Sequence, residues 1–318
     1  MGARDVRKAA RDFASDLIMP RSLIPVLAVL AAGPARLPPI LFDADGLAAD
    51  EKVEFAGLNP RGPAYRVLRW IERAAICRSA QVLVRTEVAA DILAARAGVE
   101  RDRFTIVANG RDPELFHPAD PAQRAATRAE LGIAPDAPLL VYAGSVGPQY
   151  RFDLIAQTAL AVRARRPDAR LLILTGEPDA ARSALGVKAL GMTIIRKAAS
   201  AEVPASLAAA DAGLAFRATS FSTQAIAPIK LGEYLLCGLP VIGTAAVGDA
   251  AVAVKEGVFL DEAVGPDRAA IWLSETVLAD RTGLAQRART VGLERFSLAR
   301  SVQDYLTALT AACGRIAC

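Results

Sequence analysis

The 318-residue sequence predicts an α/β protein made of two doubly wound, Rossmann-like domains facing a cleft. Two observations carry this prediction. From about Pro138, six short apolar runs (PLLVYAG, ARLLILTG, MTIIRK, AGLAFRA, LPVIGT and GVFLDE) alternate with Ala/Leu/Arg segments of helical period, such as RFDLIAQTALAVRARRP. Runs of strand length with almost no polar interruption are buried on both faces, which calls for a parallel sheet covered by helices. Before residue 120 the same alternation recurs with fewer strands.

Taken in order, the first region reads as a helix over 3–14, a strand at SDLIMP and a helix over 22–32. Strand PILFDAD follows, then a polar loop through GLNPRGP, a helix over 64–79, strand QVLVRT, a helix over 87–97 and strand FTIVAN. The segment 109–123, NGRDPELFHPADPAQ, is rich in Pro, Asp and Gly and reads as an interdomain hinge. The domains are therefore expected at 1–120 and 125–297, with an amphipathic helix over 298–318 crossing back to the first. Doubly wound sheets bind ligands outside the carboxyl ends of their strands, so the cleft is the expected site.

Composition narrows the function classes. Hydrophobic residues make up 53% and charged residues 23%, as in an ordinary soluble protein with sizeable cores. The net charge of +4 is scattered rather than massed with aromatics, which argues against nucleic acid and leaves a small anionic ligand or an anionic membrane surface. Cys77, Cys237, Cys313 and Cys318 form no C-x-x-C pair, and His117 is the only histidine, so no structural metal site is expected. A bridge between the last two cysteines stays open. The longest apolar candidate, LIPVLAVLAAG, is half the length of a membrane span and contains Pro25. The start, GARDVRKAARDF, reads as an amphipathic helix rather than a signal peptide, which makes a cytoplasmic location the default.

Three stretches could carry chemistry. In APIKLGEYLLCGLPVIGT, Pro228 suits the first turn of a short helix, Ser222 or Thr223 lies upstream, and Gly238 suits its stop. Such a helix points free amides at an anion, Lys230 adds a point charge, and Glu233 on the same face can accept from sugar hydroxyls. The plainer alternative is a Lys230–Glu233 surface pair. In YAGSVGPQYRFDLI, strand, Gly144, loop and helix let the backbone approach a pyrophosphate, with Arg151 as its cation; a plain strand-to-helix turn explains it equally. In ILFDADGLAADE, Asp43, Asp45, Asp50 and Glu51 could face an acceptor or serve only as Asx turns and caps, and their spacing does not match a calcium loop. His117 has no Ser or Cys partner and reads as a bystander.

The order of these segments resembles the retaining nucleotide-sugar glycosyltransferases of the GT-B fold, specifically the family 4 group. NGRDPELFHP resembles that family's "NGvDxxxFxP" element, LLVYAGSV its first donor-domain strand and turn, and PIKLGEYLLCGLPVIGT its donor-holding helix and strand, with AVGD after it. The resemblance implies transfer of a sugar from a nucleotide-diphosphate sugar to a glycan, lipid-linked or other hydroxyl acceptor, with retention, no cofactor and no metal. It also implies peripheral association with a membrane surface for some acceptors. Carried over residue by residue, Gly144, Ser145, Arg151, Pro228, Lys230, Glu233 and Thr244 are donor-side, and Asp43, Asp45 and Glu51 are acceptor-side. No catalytic residue is assigned.

Departures from the family pattern are informative. Ala225 stands where the first glutamate of E-x7-E belongs, Ser145 replaces an arginine and Tyr150 a lysine. Residue 1 enters the N-terminal domain after the family's first strands, so that domain is expected to be incomplete. Two further readings stay open: a GT-B protein that binds a nucleotide or partner without turnover, and a sugar-nucleotide epimerase of the same architecture.

Overall fold

The computed structural model describes residues 2–33, 37–248 and 250–314, which group into two compact units. Unit 1 comprises residues up to Ala108, the short segment Ser220–Ala227 and the chain from Ser301 onward. Unit 2 comprises Asn109–Thr219 and Pro228–Arg300. Segment 109–123 therefore begins unit 2 rather than bridging the units, and unit 2 is interrupted by eight residues that belong to unit 1.

In unit 1, helices α1 (Ala3–Asp12), α2 (Leu23–Ala31), α3 (Ala48–Ala56), α4 (Pro63–Arg78) and α5 (Glu87–Ala97) accompany strands β1 (Leu41–Asp45), β2 (Gln81–Val84) and β3 (Phe104–Ile106). The strands are parallel in the order β1-β2-β3. Ile40, Phe42, Val82 and Val84 pack with α2, α4 and α5 residues, while Leu41 and Leu83 pack with Ala308. Both faces are covered, which is why Ile40–Phe42 and Val82–Val84 read as short apolar runs.

Two expectations need correcting here. SDLIMP is not a regular strand, although it runs parallel to β1 through isolated bridges at Ile18–Ile40 and Arg21–Asp43. Pro20 has no N–H to donate, so the ladder cannot continue through it. The stretch after β1 is not all loop, because Asp50 and Glu51 occupy the first turn of α3, where negative charge opposes the helix dipole favourably.

Unit 1 also buries a cluster of charges. Asp50 accepts from Tyr65 Oη at 2.9 Å and Arg96 Nη1 at 2.7 Å, and Arg69 pairs with Glu72, which is 3% exposed. Burial pushes the Glu72 carboxyl up from 4.5 to about 7, against the pull of Arg69 and Arg96. Between those values the folded chain holds a proton that the unfolded chain has lost, so this group's contribution to stability falls as pH rises through 7. Glu72→Gln is expected to remove that slope, a relative gain of about 2–3 kcal/mol at pH 8 over pH 5. Denaturant titrations of both proteins at the two pH values check it; parallel pH profiles would contradict it.

Unit 2 adds α6 (Pro121–Glu130), β4 (Leu139–Ala143), α7 (Phe152–Arg165), β5 (Arg170–Leu174), α8 (Pro178–Leu190), β6 (Thr193–Arg196), α9 (Val203–Ala208), β7 (Ala212–Ala215), α10 (Ile229–Leu236), β8 (Val241–Gly243), α11 (Ala250–Lys255), β9 (Phe259–Asp261), α12 (Pro266–Trp272) and α13 (Arg281–Phe296). The last helix, α14 (Leu298–Gly314), starts in unit 2 and continues into unit 1. Each of the six apolar runs forms a strand, and all pairs are parallel in the order β6-β5-β4-β7-β8-β9. The first three strands are thus laid outward in one direction and the next three in the other, with the switch point between β4 and β7. Within the expected hinge, Asp120 accepts from Gln123 N at 2.8 Å and caps α6, so the hinge ends as a helix start.

At the switch point β4 and β7 pair over only two residues, Leu140 with Ala212 and Val141 with Gly213. Beyond them the strands splay and Tyr234 of α10 fills the gap. Its hydroxyl accepts from Ala143 N at 2.8 Å and lies 3.4 Å from the Leu214 carbonyl. Gly213 admits the ring, since a Cβ there would lie 2.3 Å from Tyr234 Cδ2. Helix α13 holds α10 from behind, with Gly292 against the Leu235–Leu236 backbone and Gly232 against Phe296.

Candidate functional site

The carboxyl ends of β7 and β8, the start of α10 and the turn at Tyr150 line a recess of about 370 Å³ that opens to solvent. Its lining includes Tyr150, Phe216, Arg217, Pro228, Lys230 and Thr244. Gly144 continues β4 by donating to Leu174 O at 2.9 Å, then turns at φ +145, a value that side chains rarely adopt. Pro228 is the N-cap of α10 rather than its first helical residue, and Ser222 and Thr223 lie in a separate 3-10 turn without capping it. Gly238 follows the helix at φ +74, as a stop residue should.

Lys230 runs inward from the first turn of α10. Its Nζ sits 3.9 Å from the Tyr142 ring centroid and 4.9 Å from that of Tyr150, shielded from solvent and without a hydrogen-bond partner among the described residues. A Cβ on Gly144 would lie 3.0 Å from it. Burial first and Arg217 second lower the amine to about 7, with Glu233 only partly opposing them. A shielded ammonium with only ring faces for company is costly unless an anion completes it.

Arg217, just beyond β7, shares this recess. Its guanidinium lies 5.4 Å from the Tyr150 centroid, and its Nε is shielded and makes no hydrogen bond among the described residues. Its backbone is fixed, with the amide donating to Thr244 Oγ1 at 3.0 Å while the next residue's amide donates to Gln149 O at 2.8 Å. Thr244 Oγ1 also lies 2.6 Å from Glu262 Oε2. The sequence analysis did not single out Arg217. The signal was available: a cation immediately after the strand on one side of a topological switch point.

Glu233 does not pair with Lys230. One turn further along α10, its Oε1 meets Arg111 Nη2 at 2.7 Å, and burial raises its carboxyl despite Arg111 and Lys230. Arg111 belongs to the NGRDPELFHP element, and its backbone bridges to Ser297. The surface-pair alternative for Lys230 and Glu233 is thus set aside by geometry.

The remaining sequence candidates fall elsewhere. Arg151, at φ +41 before α7, pairs with Asp153 at 2.7 Å at the surface and does not line the recess. The Ser145 carbonyl accepts from Tyr142 Oη at 2.6 Å. In unit 1, Arg85 Nη2 contacts both oxygens of buried Asp43 at 2.8 and 2.9 Å, and its Nε meets Asp45 at 2.8 Å. Burial disfavours the charge on Asp45, but Arg85 and Arg21 outweigh it and hold the carboxyl below its ordinary range. Glu51 lies in α3 beside Gly46. Ala225, in the place expected of a glutamate, is fully buried in the apolar core of unit 1, beside Gly46. His117 is exposed, with Nδ1 2.9 Å from Pro118 O.

Of the cysteines, Cys77, Cys237 and Cys313 are free thiols, while Cys318, like Asp249 of AVGD, lies outside the described residues. Among the described residues no group of three or more His, Cys, Asp or Glu side chains could hold a metal ion, and no helix is long and apolar enough to cross a membrane.

Comparison with known proteins places this geometry. Residues 137–273 match the family described as glycosyl transferases group 1. The alpha-maltose-1-phosphate synthase of Mycolicibacterium smegmatis is 29% identical over 119 residues, 37% of this chain and 30% of that protein. The D-inositol 3-phosphate glycosyltransferase of Rhodococcus jostii is 29% identical over 231 residues, 69% of this chain. The chain spans less than half the length of these two curated relatives, 30% and 48%. Among solved structures, Anabaena HepE in complex with UDP superimposes with a TM-score of 0.74 at 17% identity, over 97% of this chain and 82% of that one. WaaG, a glycosyltransferase involved in lipopolysaccharide biosynthesis, gives 0.67 at 18% identity, over 94% and 79%. Residues 137–273 thus match the glycosyl transferases group 1 family, within a chain that has the fold of the GT-B glycosyltransferases.

Proposed function

We propose that the recess of unit 2 binds the diphosphate of a nucleotide-sugar donor and that the chain transfers the sugar to an acceptor hydroxyl with retention. The observation that carries this reading is Lys230 Nζ, shielded at the switch point with no hydrogen-bond partner among the described residues. The anomeric carbon–oxygen bond to the β-phosphate breaks, a bond to the acceptor oxygen forms on the same face, and the hydroxyl proton passes to the leaving phosphate oxygen. Lys230 opposes the charge that develops on that leaving group, in a site from which water is largely excluded. Glu233, held by Arg111, is assigned to the donor ribose, with Gly144, Ser145, Pro228 and Thr244 shaping the phosphate side. On the acceptor side the reading assigns the acidic loop of unit 1, where Asp45 retains 42% side-chain exposure. Inositol phosphates and lipopolysaccharide glycans are the acceptor classes to try first, because one relative is named a D-inositol 3-phosphate glycosyltransferase and one structural neighbour is involved in lipopolysaccharide biosynthesis.

The test is turnover with UDP-, GDP- and ADP-sugars, followed by product stereochemistry and calorimetric binding of UDP, GDP and ADP. Glu233→Ala is expected to weaken the nucleotide that binds by about tenfold, with little loss for a 2′,3′-dideoxy analogue. Unchanged affinity for the ribonucleotide would remove Glu233 from the donor site. A second reading, donor binding without turnover, is favoured by Ala225, because a carboxylate cannot enter that core position without repacking. Tight nucleotide binding with neither transfer nor donor hydrolysis would select it.

A further inference from the structure

We infer that Arg217 is the second cation of the diphosphate site, seated with Lys230 against the ring of Tyr150 in place of the family cations that Ser145 and Tyr150 leave out. This rests on the donor reading above and adds to it a residue that lies far from both replaced positions in sequence.

Three observations converge on Arg217. First, Arg217 and Lys230 line one recess, and Arg217 Nε and Lys230 Nζ are both shielded and both without a hydrogen-bond partner among the described residues. The two cations repel each other, so that Arg217 adds to burial in lowering the Lys230 amine, and Glu233 offsets this only in part. A diphosphate, with charge on two phosphoryl groups, satisfies both where a neutral ligand satisfies neither. Second, the backbone of Arg217 is pinned by Thr244 and Gln149, so the side chain emerges from a fixed root. Third, Tyr150 gives each cation a ring contact, at 4.9 Å for Lys230 and 5.4 Å for Arg217. The aromatic residue that displaced a lysine thus supplies the seat for a cation arriving from β7. A guanidinium also offers paired N–H donors to phosphate, which an ammonium cannot.

The experiment titrates whichever of UDP, GDP and ADP binds the unaltered protein, alongside its nucleoside. Arg217→Met is expected to weaken the nucleoside diphosphate by about ten- to a hundredfold and the nucleoside by less than about threefold. Arg217→Lys is expected to recover part of the loss, and thermal melts confirm that the variants fold. A further readout is pH. The groups facing the Lys230 amine are Arg217 after β7, Glu233 on α10, Tyr142 on β4 and Tyr150 before α7. Because the amine sits at about 7 in the free protein and gains an anion on binding, diphosphate affinity should fall as pH rises above 7. In Arg217→Met that inflection should move upward. Diphosphate affinity within threefold of the unaltered protein, or equal losses for diphosphate and nucleoside, would overturn the role of Arg217. If Lys230→Met weakens binding and Arg217→Met does not, the donor site stands without Arg217. If neither variant weakens binding, the donor reading falls as well.

Discussion

Lys230→Met is expected to stabilise unit 2 while lowering kcat/KM by about a hundred- to a thousandfold, an opposition that separates a binding group from a structural one. The ammonium is shielded at the end of the sheet, touches ring faces and has no hydrogen-bond partner. Its amine is held at about 7 instead of 10.5, chiefly by burial and next by Arg217. Between those values the unfolded chain binds a proton that the folded chain does not, so this group's contribution to stability rises with pH across that window. Methionine keeps the length and apolar stem, removes the charge, and should gain about 1 kcal/mol or more near pH 6. The loss in turnover follows from the opposite side of the same feature. A cation preplaced without reorganisation is worth most where negative charge develops, and removing one such group commonly costs 10²–10³ in rate. Denaturant unfolding at pH 6 and 9, with kinetics in parallel, reads both effects. A destabilised variant with unaltered donor affinity would mark Lys230 as a core residue only.

The sheet of unit 2 was legible because burial on both faces removes polar residues from the strands, so six runs stood out one after another. Helix α10 and its Gly238 stop were legible for the same local reasons, punctuation around a periodic segment. What sequence could not show was where adjacent side chains diverge. Lys230 and Glu233 are three residues apart on one helix, yet one enters the aromatic recess and the other meets Arg111. Neighbouring positions on a helix permit a pair and do not compel it when each side chain has a better site. Arg217 escaped because its significance lies in convergence: β7 ends beside β4 only after the strand order reverses. The segment 220–227 escaped because nothing in its composition says that a chain passing between β7 and α10 buries Ala225 in the other unit's core. The strand at SDLIMP was half legible, its pairing real and its ladder interrupted at Pro20.

Gly213→Ala tests the element that joins fold to site. Gly213 pairs with Val141 on one side and Val241 on the other, so β7 has little freedom to shift. An added Cβ would lie 2.3 Å from Tyr234 Cδ2 and 2.8 Å from Cγ and Cε2, closer than real contacts allow. The ring must therefore move, which takes its hydroxyl from Ala143 N, a buried amide that the splayed strands leave without a ladder partner. Overpacking of this kind costs about 1–3 kcal/mol, and an unsatisfied buried amide adds about 1–3 kcal/mol. The sum, about 2–6 kcal/mol, is a large part of the stability of a domain. Because Tyr234 sits one turn after Lys230 on the same short helix, donor affinity should fall along with stability. A double-mutant cycle isolates the contact: in a Tyr234→Leu background the smaller side chain leaves room for the new methyl, so the further cost of Gly213→Ala should drop below about 1 kcal/mol. Equal costs in the two backgrounds would show that Gly213 is needed for its own backbone and not to admit the tyrosine that holds the switch point.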